Sequence, residues 1–254
     1  MCSSDLQIHP FHVVGAGSQY QVARSLRFRS SSSAYLSRTP TSAGNRQKWT
    51  WSGWVKRGTL GSSAGSILFS AYNGAVNQDL YICFGSPTGT GTTTDSFNFF
   101  SPPAGTNVSV YSNSVYRDPS AWYHCIVAID TTQATPASNR VRMYVNGSEI
   151  SYNASSTYPS LYQNLQINST QIHYIGQSAA GYFDGYMAEV NFIDGQALTP
   201  SSFGTTDSVT GAWIPTKYTG TYGTNGFYLP FTNNATVTNG GYGNDQYKIG
   251  RAHV

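Results

Sequence analysis

Eleven carboxylates supply all the acid–base chemistry this 254-residue chain could draw from acidic side chains, and only two of them, Glu149 and Glu189, are glutamates. Glycoside hydrolysis would need two carboxyl groups about 5–5.5 Å apart to retain configuration, or roughly 6.5–9.5 Å apart to invert it. Acids two positions apart on a strand meet that demand, because residues i and i+2 share a face at about 6.6 Å. Glu189 lies five positions from both Asp184 and Asp194, an odd spacing that sends each pair to opposite faces of a regular strand. Other catalytic sets are missing as sequence patterns: there is no Gly-x-Ser-x-Gly elbow, no His-Glu-x-x-His and no glycine-rich phosphate cradle. His124 and His173 fall in strand-like runs, where a packed, hydrogen-bonded imidazole is expected rather than a base or ligand. Cys83 and Cys125 lie in apolar runs and are expected as buried free thiols; with the histidines they lack zinc-type spacing. The expectation is a protein that is not an enzyme.

Binding chemistry is better represented. The connecting segments are rich in Tyr, Ser, Gly and Asn, which combine rigid aromatic area with adaptable hydrogen bonding. Trp213, Tyr218, Tyr222 and Tyr228 lie in a Gly/Thr-rich stretch and could stack on a sugar ring. Trp213 and Tyr228 also suit packing against the protein, which leaves Tyr218 and Tyr222 as the better exposed candidates. The candidate carbohydrate-binding residues are therefore Tyr218, Tyr222 and Trp213.

These residues must be positioned by strands. Charged residues make up 10% of the chain, against roughly 25% in ordinary soluble domains. A hydrophobic fraction of 39%, with 14% aromatic, is still enough for a core. Short alternating runs recur between Gly, Pro, Asn and Asp breaks. They predict strands near 25–28, 34–38, 49–56, 66–71, 80–84, 96–100, 109–112, 122–130, 141–145, 148–151, 171–175, 185–193 and 226–231. Asn146-Gly147 supplies the two positive-φ residues of a type I′ hairpin turn. One helical turn is expected near 199–203. The run Gly185–Ile193 predicts a regular strand with one buried face, Tyr186, Ala188, Val190 and Phe192 pointing one way. The pattern as a whole is all-β: an antiparallel two-sheet β-sandwich.

Three pieces, in order, resemble laminin-G-like domains of the concanavalin A-like lectin/glucanase superfamily. They are Trp122-Tyr-His-Cys-Ile-Val-Ala-Ile-Asp130, Arg140-Val-Arg-Met-Tyr-Val-Asn-Gly147, and Ile175-Gly176 followed by Phe183-Asp184-Gly185. The resemblance implies a concanavalin A-like jelly roll over residues 20–232, with strands 25–28 and 226–231 paired at its edge. It also implies a surface that binds. The superfamily includes laminarinase-type glucanases, but their Glu-x-Asp-x-x-Glu string is absent here. Several relatives bind Ca2+ at the sandwich rim. Asp79, Asp95, Asp184 and Asp194 are the plausible side-chain donors, yet no ligand set carries over residue by residue. Asp184 is expected to hold its Phe-Asp-Gly turn, and no metal or other cofactor is expected.

Further stretches look like virion proteins of tailed bacteriophages, especially those from marine metagenomes. They are Ser25–Phe28, Tyr35–Pro40, Trp49–Lys56, Asp194–Phe203 and Gly220–Phe227. That likeness implies a tail fibre, appendage or capsid-surface component of an extracellular phage particle. Its partners would be host-surface glycan or other virion proteins, with a homo-oligomer possible within a larger protein. The purely structural alternative is a module that packs against other virion proteins.

The net charge is +3, and between Leu6 and Gln78 there are basic residues but no acidic ones. An anionic partner such as an acidic polysaccharide, lipopolysaccharide or nucleic acid would suit this excess, although the residues are scattered as on a solvated face. Neither nucleic acid nor membrane is expected as a partner, and no apolar run is long enough for a membrane span. Residues 1–6 and 249–254 resemble the translation of a sequencing-library adapter, so both are expected to be artefacts. Residues 7–19 and 233–248 then read as linkers to sequence beyond. The Asn-x-Ser/Thr sequons at Asn107, Asn146, Asn153, Asn168 and Asn234 follow from composition and are expected to carry no glycan.

Overall fold

The computed structural model of the chain describes residues 20–61, 66–72, 79–85, 94–101, 107–179, 181–232 and 252–253. The linkers, the first adapter-like end and Asn234 lie outside these residues, as does most of the second end.

The strands are, in chain order, β1 (Leu26–Phe28), β2 (Tyr35–Arg38), β3 (Lys48–Arg57), β4 (Ser66–Tyr72), β5 (Leu80–Phe84) and β6 (Ser96–Phe100). Next come β7 (Ser109–Val115), β8 (Tyr123–Asp130), β9 (Val141–Val145), β10 (Ser148–Glu149), β11 (Ile172–Ile175) and β12 (Gln177–Ser178). The last are β13 (Gly181–Tyr182), β14 (Gly185–Asp194), β15 (Gly204–Thr206), β16 (Trp213–Pro215), β17 (Phe227–Leu229) and β18 (Ala252–His253). The helical turn expected near 199–203 is a single 3-10 turn at Pro200–Ser202.

One sheet runs β1-β14-β3-β8-β9-β10, with β17 also on β14; the other runs β18-β2-β11-β4-β5-β6-β7. Every ladder is antiparallel. Two small hairpins, β12-β13 and β15-β16, stand outside the sheets. The turn at Asn146-Gly147 forms as its sequence requires, with φ of 49° and 81° and Val145 opposite Ser148.

Alternation on β3 explains the core. Trp49, Trp51 and Val55 face the opposing sheet and are fully buried, while Thr50, Ser52, Trp54 and Lys56 take the other face. Trp49 meets Phe99 of the second sheet edge-on at 5.8 Å, and Phe192 meets Phe69 at 5.5 Å, so aromatic rings join the two layers. Gly53 is required by this packing, since a Cβ there would lie 2.9 Å from the Trp51 ring.

Two expectations about β14 need correction. The strand is not regular: its register against β3 breaks between Ala188 and Asn191, and Glu189 has a φ of 50°. The β-bulge inserts one residue and reverses the alternation, so Met187 before it and Val190 and Phe192 after it all enter the main core. Both faces of β14 are buried, because the chain after Asp194 folds back over the outer one. Secondly, β1 and β17 do not pair with each other. Both pair with β14, β1 opposite Gly185–Met187 and β17 opposite Val190–Phe192, on either side of the bulge.

Candidate functional site

The outer face of the first sheet carries a connected run of aromatic rings. Trp54 and His124 are opposite each other across β3 and β8, and their rings stack at 4.9 Å and 14°. Trp213, at the start of β16, donates its indole N–H to His124 Nδ1 at 2.9 Å. That bond fixes the tautomer: Nδ1 accepts, so Nε2 carries the proton and donates to Ser52 Oγ at 2.9 Å. Burial of the imidazole pushes its pKa down to about 3, so His124 is neutral and spent on packing.

The run continues from His124 to Phe203, then to Tyr218 at 5.3 Å from Phe203, Tyr222 at 5.2 Å from Tyr218, and Tyr228 at 6.5 Å from Tyr222. The fold thus brings all four sequence-derived aromatic candidates to one face, in different roles. Trp213 is a wedge: a Cβ on Gly147 or Gly204 would lie 2.4 or 2.5 Å from its ring. Tyr222 donates to Asn191 Oδ1 at 2.9 Å, and Tyr228 to Glu189 Oε2 at 2.6 Å. Tyr218 and Tyr222 stay half-buried in the segment Lys217–Gly223, which lines a shallow depression.

A second concavity on this face was not anticipated from the sequence. Val22, Arg24 and Ser25, from the segment leading into β1, form one wall of a groove; Trp54, Trp122, Ala188 and Pro215 form the rest. Ala188 and Trp54 are paired across β14 and β3, and Trp122 stands two residues before His124. Trp54 is buried, whereas Trp122 and Arg24 are partly exposed. The available signal was the alternation of β3 and β8, which puts Trp54 and Trp122 opposite to the core-facing Trp51 and Cys125.

The profile of the concanavalin A-like lectin/glucanases superfamily, in its laminin G subgroup, matches residues 29–202. The chain belongs to that superfamily. Among solved structures, a protein from Bacteroides ovatus inferred to bind carbohydrate superposes with a TM-score of 0.50 at 15% identity, over 82% of this chain and 52% of its own. The chain therefore spans about half that protein's length. Domain 4 of an extracellular arabinanase from Geobacillus stearothermophilus, solved with arabinotriose, gives 0.41 at 20% identity over 63% and 65% of the two chains. Domains LG4-5 of the mouse laminin alpha1 chain give 0.46 at 10% identity over 90% and 50%. No curated protein sequence matches the chain.

The superfamily includes glucanases, so the setting of each carboxylate matters. Asp5 and Asp245 lie outside the described residues; each of the others is engaged within the protein. Glu189 accepts from Tyr20 and Tyr228 at 2.7 and 2.6 Å, and burial pushes its pKa up. Asp194 accepts from the Asn45 and Asn225 backbone N–H groups and from Asn168 Nδ2. Asp184 accepts from Arg27 at 3.1 Å, from Ser30 N–H and from Thr59 Oγ1, so these bonds tie it to the segments around β1 and after β3 rather than within the Phe-Asp-Gly turn expected from the sequence. Asp95 pairs with Arg57 and Arg117, Asp130 with Lys48, and Glu149 with Arg142. Asp79 accepts from Tyr81, Asp118 from Ser120, and Asp207 from the backbone of its own turn. Among the described residues no three His, Cys, Asp or Glu side chains are grouped to hold a metal ion. His173 is committed like His124: Asn168 N–H donates to Nε2, Nδ1–H donates to the Gln171 carbonyl, and burial lowers its pKa to about 4. Cys83 and Cys125 are free, buried thiols.

Proposed function

We propose that this chain is a non-catalytic carbohydrate-recognition module, carried on the surface of a tailed-phage virion and directed at host-surface glycan. The observation that carries the reading is the groove on the outer face of the first sheet. A partly exposed tryptophan, Trp122, shares the lining with Arg24, and the described carboxylates are engaged in contacts within the protein. An indole face stacks on the C–H face of a sugar, and the neighbouring polar groups set its orientation. The aromatic depression at Tyr218 and Tyr222 extends the same surface. Superfamily membership and a solved relative inferred to bind carbohydrate fit this reading. The virion setting rests on the sequence likeness alone, and neighbouring tail or capsid genes on the source contig would support it.

Screening against immobilised glycans and host cells, followed by calorimetry, tests the function. Trp122→Ala is expected to weaken binding about tenfold, and Tyr218→Ala and Tyr222→Ala by a smaller factor, with circular dichroism unchanged. No interaction with any glycan at millimolar concentration would overturn the reading and leave the purely structural virion module, which a stable oligomer in solution would support.

A further inference from the structure

We infer that the Trp122 groove selects an acidic sugar, a hexuronate whose carboxylate is held by Arg24; this rests on the carbohydrate-binding reading above. The five ion pairs of the described residues use Arg27, Lys48, Arg57, Arg117 and Arg142, and Arg24 belongs to none of them. Every described carboxylate has its partners elsewhere, so among the described residues this guanidinium has no counter-charge. Its neighbours in the groove are apolar apart from Ser25. A cation against a low-dielectric wall attracts an anion more strongly than one in open water. The chemistry is specific: a planar guanidinium matches a carboxylate through two parallel hydrogen bonds, while the adjacent indole takes the sugar ring that bears it.

The probes are oligosaccharides of galacturonate, glucuronate and mannuronate, each with its methyl ester, which keeps the backbone and removes the charge. A panel of neutral oligosaccharides is run beside them. The intact chain is expected to bind at least one uronate about tenfold more tightly than its ester at low salt, with the preference shrinking as salt rises. Arg24→Gln is expected to equalise acid and ester, Arg24→Lys to keep part of the preference, and Trp122→Ala to weaken both. Arg24 precedes the first strand, and an unchanged thermal midpoint checks that the variants fold. Equal affinity for acid and ester, binding of neutral sugars only, or an unaltered preference in Arg24→Gln would overturn this inference and leave carbohydrate binding standing. A chain that binds no sugar of either kind would overturn both.

Discussion

Protonating His124 would set two donors against each other, because the Trp213 indole N–H already points at Nδ1. The same conflict arises at His173, where the Asn168 N–H occupies Nε2. Both imidazoles are buried, which holds their folded-state pKa at about 3 and about 4, below the 6.5 of the free side chain. Between these limits the unfolded chain binds protons that the folded chain refuses, so stability rises with pH. The contribution is complete above about pH 6.5 and falls away from there down to about pH 3. Its size is on the order of a few kcal/mol. Glu189 and Asp79, whose carboxyls burial pushes up, act in the opposite sense. The measurement is therefore a difference in slope: denaturant unfolding of the native chain and of His124→Gln and His173→Gln at pH 7, 6, 5 and 4. Each variant is expected to lose less stability on acidification than the native chain. Parallel pH profiles would show that these histidines are not buried neutral.

At the level of elements, a buried ion-pair cluster fastens the end of β3 to the residue before β6 and to the segment after β7. Arg57 is 2% exposed and donates to Asp95 Oδ1 at 2.7 Å and to the Tyr116 carbonyl, with its guanidinium over the Phe84 ring. Burial alone would raise the Asp95 pKa, but the Gly61 N–H, Arg57 and Arg117 together hold it below the usual carboxylate range. Asp95→Ala would strand the Arg57 charge in the interior and is expected to cost about 3–5 kcal/mol. The paired change Arg57→Met with Asp95→Asn, which keeps a side chain suited to the φ of 69° and an acceptor for the Gly61 N–H, is expected to recover part of that loss, and denaturant unfolding of the native chain and the two variants checks it. None of this cluster was legible in the sequence, because Arg57 and Asp95 are joined only by strand pairing. The strands themselves were legible wherever period-2 alternation or a local turn such as Asn146-Gly147 specified them. The β14 bulge was not, since Tyr186–Ile193 alternates well enough to read as a regular strand and the residue inserted at Glu189 leaves no turn signal of its own. The aromatic candidates fared similarly. Composition located Tyr218, Tyr222 and Trp213, but only tertiary folding ties Trp213 to His124 and brings Trp122 and Arg24 to one groove.

At the scale of the whole molecule, the matched superfamily segment ends at Ser202, yet the sandwich does not. Phe227, Leu229 and Phe231 enter the same core as Trp49 and Phe69, and β17 extends the edge of β14 beyond the bulge. The residues between them cover the outer face of the first sheet: Trp213 satisfies His124, Tyr222 satisfies Asn191, and Tyr228 meets Glu189 beside Tyr20. A chain stopped at Ser202 would lose Phe227, Leu229 and Phe231 from the main core, and buried Phe203 and Ile214 with them, each contributing about 1.5–3 kcal/mol by burial, and would leave buried polar groups without partners. The total stability of an ordinary domain is only about 5–15 kcal/mol, so the loss is comparable to the whole. Residues 20–202 are thus expected to bind a hydrophobic dye and to show no cooperative thermal transition, while residues 20–232 unfold cooperatively. A truncated chain melting within a few degrees of the longer one would mean that the returning segment is an accessory. The groove would then lose only its Pro215 wall, and glycan binding should survive. If the segment is integral, as its core residues require, recognition and folding are inseparable on this face.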